Sequence, residues 1–182
     1  MQAPLNFAKR GFIVLYRALP EARINELRHL ASFDDNLDWS TGILYDEVEE
    51  EDRLQALVPD ETSRSLSATL KRFYKMFFPR SQCQEWRFIK TLAGSNPQPL
   101  RREFESAASE ADLLDACAIP GSVMIATEDN TFLYAFGWNH KLALKSNRVL
   151  IELNKGDMIL FGVQARRIQS QEYLLAWDSC PR

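Results

Sequence analysis

The sequence predicts an α+β domain with an antiparallel β core in its second half. Three observations carry this. Apolar residues recur at helical spacing only in the first 80 positions. Beyond position 120 the chain breaks into short apolar or alternating runs rich in β-branched and aromatic residues. Those runs are divided by tight polar segments and by no long helix, which argues for a jelly-roll or barrel-like sandwich with the early helices packed on its outer face.

The elements follow in order. Residues 12–16, Phe-Ile-Val-Leu-Tyr, read as a strand. Leu19-Pro20-Glu21 then opens a helix, because a proline in the first turn gives up an N–H that has no partner there anyway. Ile24, Leu27, Leu30 and Ala31 mark its buried stripe. Residues 33–58 read as polar and irregular, and the acidic run 46–52 as a solvated surface segment. Asp60-Glu61-Thr62 supplies capping chemistry for a second helix, whose stripe Leu66, Leu70, Phe73 and Phe77 runs until Pro79. Alternation through Trp86, Phe88, Lys90 and Leu92 marks a strand, and Gly94-Ser95-Asn96-Pro97 a turn.

A short polar helix is expected around 109–118. Strands follow at 123–126, 132–136, 149–153, 158–161 and 173–177, with separators at 128–130, 138–140, 154–157 and 166–170. The absence of a repeat or linker makes residues 1–182 one domain.

Composition narrows the function classes. The chain has 182 residues, 46% hydrophobic and 26% charged, which is enough to bury one core without staples. A net charge of -3 gives no general attraction for a phosphate backbone, so nucleic acid is not an expected partner. Cys83, Cys117 and Cys180 form no CxxC pair, which argues against a disulfide framework or a thiolate zinc site. The apolar run at 11–16 is only a strand long and lacks a secretory cleavage pattern, and no stretch approaches the roughly 20 apolar residues that span a bilayer. The expectation is an intracellular protein, cytoplasmic by default, with an organelle left open and no membrane partner.

Catalytic signatures are sparse. The two histidines, His29 and His140, are far apart; His29 sits in the first helix, where a surface or helix-terminal role is expected. There is no nucleophile elbow, phosphate loop, zinc helix or dinucleotide fingerprint.

Three stretches resemble the iron- and 2-oxoglutarate-dependent oxygenase superfamily, particularly its phytanoyl-CoA-hydroxylase-like and prolyl-hydroxylase-like members. The strand at 11–15 with its following helix looks like the opening unit of that family. Gln98-Pro99-Leu100-Arg101-Arg102-Glu103-Phe104 looks like its Q-x-x-H-x-D-F segment. Residues 153–167, with Gly156-Asp157 and Phe161, resemble its GD-x-x-x-F turn and strand leading to the distal histidine. Residues 128–134 also resemble its central hairpin.

The resemblance implies a double-stranded β-helix, jelly-roll and cupin-like, with a metal held by two histidines and an acid. It places Arg101 and Arg167 at the histidine positions and Glu103 at the acidic one. A guanidinium has no lone pair free for a metal. The expectation is therefore a degenerate member without cofactor and without catalytic residues, acting as a structural or protein-interaction module with a protein partner or a second copy of itself. Arg101, Glu103 and Arg167 would converge at one end of the barrel as an ion network or as a small-anion site. Two alternatives stand beside it. One is a divergent iron- and 2-oxoglutarate-dependent oxygenase, or a hydrolase, drawing on Glu128, Asp129 or His140. The other is a small-ligand or carbohydrate-binding jelly roll using Tyr134 and Trp138.

Overall fold

The structure, a computed structural model, describes residues 10–32, 37–43, 49–77, 82–92, 101–102, 121–136, 146, 148–162, 166–170 and 174–180. The expected turn at 94–97, the polar helix at 109–118, and Pro79, Glu103, Cys117, Trp138 and His140 lie outside these residues.

Phe12–Leu15 forms β1 and Glu21–Ser32 forms α1. Ile24, Leu27 and Ala31 are buried at the expected helical spacing. The Pro20 carbonyl accepts from the backbone N–H of Arg23 at 3.0 Å and of Ile24 at 3.2 Å, so the proline stands at the helix entrance. His29 is exposed in the last turn, as its place in the helix suggests. Asp60–Tyr74 forms α2, burying Leu66, Leu70 and Tyr74, with Phe73 and Phe77 partly covered. The expected side-chain cap is not made. Pro59 occupies the cap position, its carbonyl accepts from Ser63 N–H at 2.8 Å, and Asp60 and Glu61 lie inside the first turn, where they complement the helix dipole.

The remaining strands are β2 Ser40–Ile43, β3 Glu49–Leu57, β4 Gln82–Thr91, β5 Arg101–Arg102, β6 Gly121–Ala126, β7 Thr131–Phe136, β8 Arg148–Leu153, β9 Met158–Gly162, β10 Arg166–Ser170 and β11 Leu174–Cys180. They form a seven-stranded sheet, β1-β9-β6-β11-β4-β3-β2, and a four-stranded sheet, β5-β10-β7-β8. Every pairing is antiparallel. Among the described residues these remain two sheets with free edges, and the pairing does not join them into one closed barrel.

Alternation within single strands builds two cores at once. Val123 and Ile125 of β6 and Met158 and Leu160 of β9 join Ile24, Leu27, Leu66 and Leu70, so both helices cover one face of the large sheet. Met124, Ala126, Ile159 and Phe161 point the other way and pack with Leu133, Ala135, Ile151 and Leu153 of the small sheet. The antiparallel core and the outer helices therefore stand as expected from the sequence.

Three expectations are corrected. The segment read as irregular contains β2 and β3, and the acidic residues from Glu49 onward begin a strand. Pairing with β4, which sets Ala56 opposite Phe88, overrides the polar composition. Residues 166–170, read as a separator, are β10, held between β5 and β7. The resemblance of 128–134 to a hairpin also fails, since β6 and β7 belong to different sheets and the turn between them crosses from one layer to the other. The turn at 154–157 makes the same crossing from β8 to β9.

These two crossing turns are tied together. Lys155 N–H donates to Asp129 Oδ1 at 3.0 Å and Asn130 N–H to Asn154 Oδ1 at 3.3 Å. Asp157, 4% exposed, accepts from the backbone N–H of Arg17 and of Asn154, each at 2.9 Å. Arg28 of α1 reaches Glu128 at 2.5 Å. One end of the sandwich is thus bound by hydrogen bonds to the segment that carries β1 into α1. No helix among the described residues is long and apolar enough to cross a membrane.

Candidate functional site

The end of the sandwich away from the crossing turns carries the residues singled out in the sequence. In the register of β10 with β5, Arg167 lies directly opposite Arg101, and Arg166 opposite Arg102. On the other side of β10, Arg167 lies opposite Ala135, and Ala135 lies opposite Val149. Arg101, Arg167, Ala135 and Val149 therefore form one row across the small sheet. Residues opposed in this way share a face of a sheet. Ala135 is fully buried between the sheets, so the side chains of Ala135 and Val149 in this row belong to the inner face. Val149, at the edge of the row, is 46% exposed although Ile151 and Leu153 on the same face are buried, which marks the row as the mouth of the sandwich.

The opposite wall of the mouth is supplied by β6. Ala126 and Thr131 flank the first crossing turn; four residues back along β6 is Ser122, and four residues on along β7 is Ala135. The two positions are at the same depth. Ser122 shares the inner face with Met124 and Ala126, is fully buried, and among the described residues its Oγ has no hydrogen-bond partner. Buried hydroxyls are nearly always paired, so an orphan at this place is informative.

Sequence reasoning missed Ser122, since a lone serine beside a strand start carries no signal, and it missed Arg53. Arg53 is 3% exposed on β3, opposite Thr91, to whose Oγ1 its Nε donates at 3.3 Å. It sits past the level of the crossing turns, away from the mouth, because Ile89 two residues before Thr91 is already level with Ala126 through Leu174. Asp129, in the first crossing turn, is held below the ordinary carboxylate range, chiefly by the hydrogen bond from Lys155 N–H and also by the Lys155 charge. Glu128 is engaged by Arg28. Tyr134 belongs to the outer face of the small sheet, with the Arg148 guanidinium 4.7 Å over its ring, and does not line the mouth.

No family model matches the sequence. No curated protein matches it either. Solved structures do match, over nearly the whole chain. HygX from Streptomyces hygroscopicus with nickel and 2-oxoglutarate bound is 10% identical with a TM-score of 0.72, covering 99% of this chain and 86% of that one. A prolyl hydroxylase from Trichoplax adhaerens in complex with a hypoxia inducible factor oxygen degradation domain peptide fragment is 12% identical, TM-score 0.72, covering 98% and 87%. A Pseudomonas putida prolyl-4-hydroxylase is 13% identical, TM-score 0.64, covering 100% and 98%. The chain has the fold of the iron- and 2-oxoglutarate-dependent oxygenase superfamily.

Within this oxygenase fold the chemistry at the mouth departs from a metal centre. The residues at the two positions that the resemblance assigns to histidine are arginines, and they face each other across β5 and β10. Neither can donate an electron pair to iron, so the residues do not fit the metal. Among the described residues no group of three His, Cys, Asp or Glu is placed to hold a metal ion.

Proposed function

We propose that this chain is a non-catalytic member of the oxygenase fold that serves as a structural or protein-interaction module. One observation carries the reading: Arg101 lies opposite Arg167 at the mouth, where the resemblance requires imidazoles. Glu103, two residues beyond Arg101 in the sequence, supplies the counter-charge in this reading. A carboxylate between two guanidinium groups is a charge-assisted network that fixes structure and leaves nothing to activate oxygen.

The test is metal binding under anaerobic conditions, by calorimetry with ferrous iron and with manganese, with 2-oxoglutarate present. The native chain is expected to take up no stoichiometric metal and to consume no 2-oxoglutarate. The double substitution Arg101→His, Arg167→His is expected to gain metal affinity through Glu103. One iron per native chain with coupled 2-oxoglutarate turnover would end the proposal.

A second reading is favoured by the orphaned Ser122 hydroxyl: the mouth binds a small anion between Arg101 and Arg167, with Ser122 Oγ donating to it. Thermal stabilisation by inorganic phosphate or succinate, lost in Arg167→Ala, supports this reading, and no stabilisation by either anion removes it.

A further inference from the structure

Among the described residues the two sheets have four edge strands, and they are unequally protected. β1 and β2 are four residues long, and the pairing of β2 with β3 shifts register between Thr41 and Gly42. β5 is two residues, both arginine. Short, irregular or like-charged edges resist pairing with another chain. β8 is different. It has six residues, Arg-Val-Leu-Ile-Glu-Leu, in unbroken register with β7 and without proline. Its first three residues are exposed, including two large apolar ones, Val149 at 46% and Leu150 at 53%.

Glu152 and Arg148 are also exposed, and among the described residues neither makes an ion pair; Arg148 instead stacks on Tyr134. Both lie on the outer face of the small sheet with Leu150, since their register partners Phe136, Tyr134 and Phe132 alternate with the buried Ala135 and Leu133. Four residues apart in one strand, they are separated by roughly 13 Å and cannot meet within one chain.

We propose that β8 pairs antiparallel with β8 of a second copy of this chain, about a two-fold axis through Leu150. The sequence is self-complementary in that register. Leu150 lies opposite its own counterpart, Arg148 opposite the second copy's Glu152 and Glu152 opposite its Arg148. On the inner face Val149 meets the second copy's Ile151, extending the core between the sheets. An antiparallel two-fold must pair residues of the same face, so its axis passes through a residue, and moving it to Val149 or Ile151 sets each charge against a leucine or outside the strand. Only the Leu150 axis satisfies both ion pairs and covers both exposed apolar side chains. The result is an isologous dimer with a continuous eight-stranded sheet. The inference goes beyond the proposed module by naming its partner and surface, and it does not depend on what the mouth binds.

Sedimentation velocity over a wide concentration series tests it on the whole chain. The native protein is expected to pass from monomer to dimer. Arg148→Glu and Glu152→Arg each create two like-charge pairs across the axis and are expected to weaken self-association roughly tenfold. Mixing these two variants restores both pairs, because the acid introduced in one copy then faces the guanidinium introduced in the other, and a heterodimer is expected; the double exchange R148E/E152R restores the homodimer. Leu150 is exposed, so Leu150→Lys keeps the fold, checked by circular dichroism, while placing two ammonium groups at the axis and leaving a monomer. A chain that stays monomeric at all concentrations, a dimer indifferent to Leu150→Lys, or single variants that do not rescue each other on mixing would overturn the proposal. Metal uptake by the native chain would bear on the module reading and leave this interface standing.

Discussion

Gly156 is packed directly beneath the backbone of Leu19: a Cβ at 156 would stand 2.5 Å from the Leu19 carbonyl oxygen, and φ at 156 is +83°. Leu19 N–H also donates to the Gly156 carbonyl at 3.2 Å, and Gly156 N–H to that of Ala126 at 2.9 Å. Gly156→Ala meets a rigid backbone atom and a left-handed conformation together, and is expected to lower stability by about 2–4 kcal/mol. Urea unfolding measures it; a loss below about 0.5 kcal/mol would show that the turn relaxes freely.

Asp157 holds two backbone N–H groups, one from Arg17 far away in sequence and one from Asn154 in its own turn. Asp157→Ala leaves Arg17 N–H and Asn154 N–H without an acceptor in a nearly closed site. The expected loss is about 2–3 kcal/mol, and Asp157→Asn, which keeps one carbonyl oxygen, is expected to lose less. Equal losses in the two variants would mean that the second oxygen carries the whole effect.

Ser122 gives the opposite sign. Its unpartnered hydroxyl is already a burden on the folded state, so Ser122→Ala is expected to leave stability unchanged or to raise it by up to about 1 kcal/mol. Where added phosphate stabilises the native chain, the same variant should reduce that stabilisation. A large destabilisation by Ser122→Ala in plain buffer would point to a hidden partner for the oxygen.

Asp129 sets a small pH dependence. Its carboxyl is depressed by the Lys155 N–H hydrogen bond, so the folded state holds the proton less tightly than the unfolded chain does. The contribution is complete above the ordinary carboxylate value and is lost as the pH falls through the lowered one. Asp129→Asn should therefore lower stability slightly at neutral pH, match the native chain at strongly acid pH, and flatten the slope between the two. A carboxyl resonance titrating at or above the ordinary value would contradict this.

How far the sequence reveals the fold depends on where the decisive contact lies. Continuous apolar runs such as 123–126 and 158–161 announce themselves because both faces are apolar, and each face fills a different core. Helix stripes such as Ile24, Leu27 and Ala31 are equally local. β10 is not: Arg-Arg-Ile-Gln-Ser has no strand pattern of its own and becomes a strand because β7 and β5 supply ladders on both sides. The β2–β3 pair is hidden for the same reason, since acidic residues mask a strand whose apolar partners lie on β4. At the mouth, residue identity makes Arg101 and Arg167 stand out, and the register places them face to face, while Glu103 lies outside the described residues. Ser122 and Arg53 could not have been found without coordinates, because burial is what makes a serine hydroxyl or a guanidinium noteworthy.

The partner of β1 is β9, which sets Phe12 opposite Phe161. A ribosome emits β1 long before β9, the strand that receives it, so for most of synthesis this strand has no ladder partner, while α1 meets α2 much earlier. Such distant pairing predicts slow maturation, with the first strand among the last to settle. Agents that occupy exposed apolar segments, such as chaperones, would find their target here at the start of the chain.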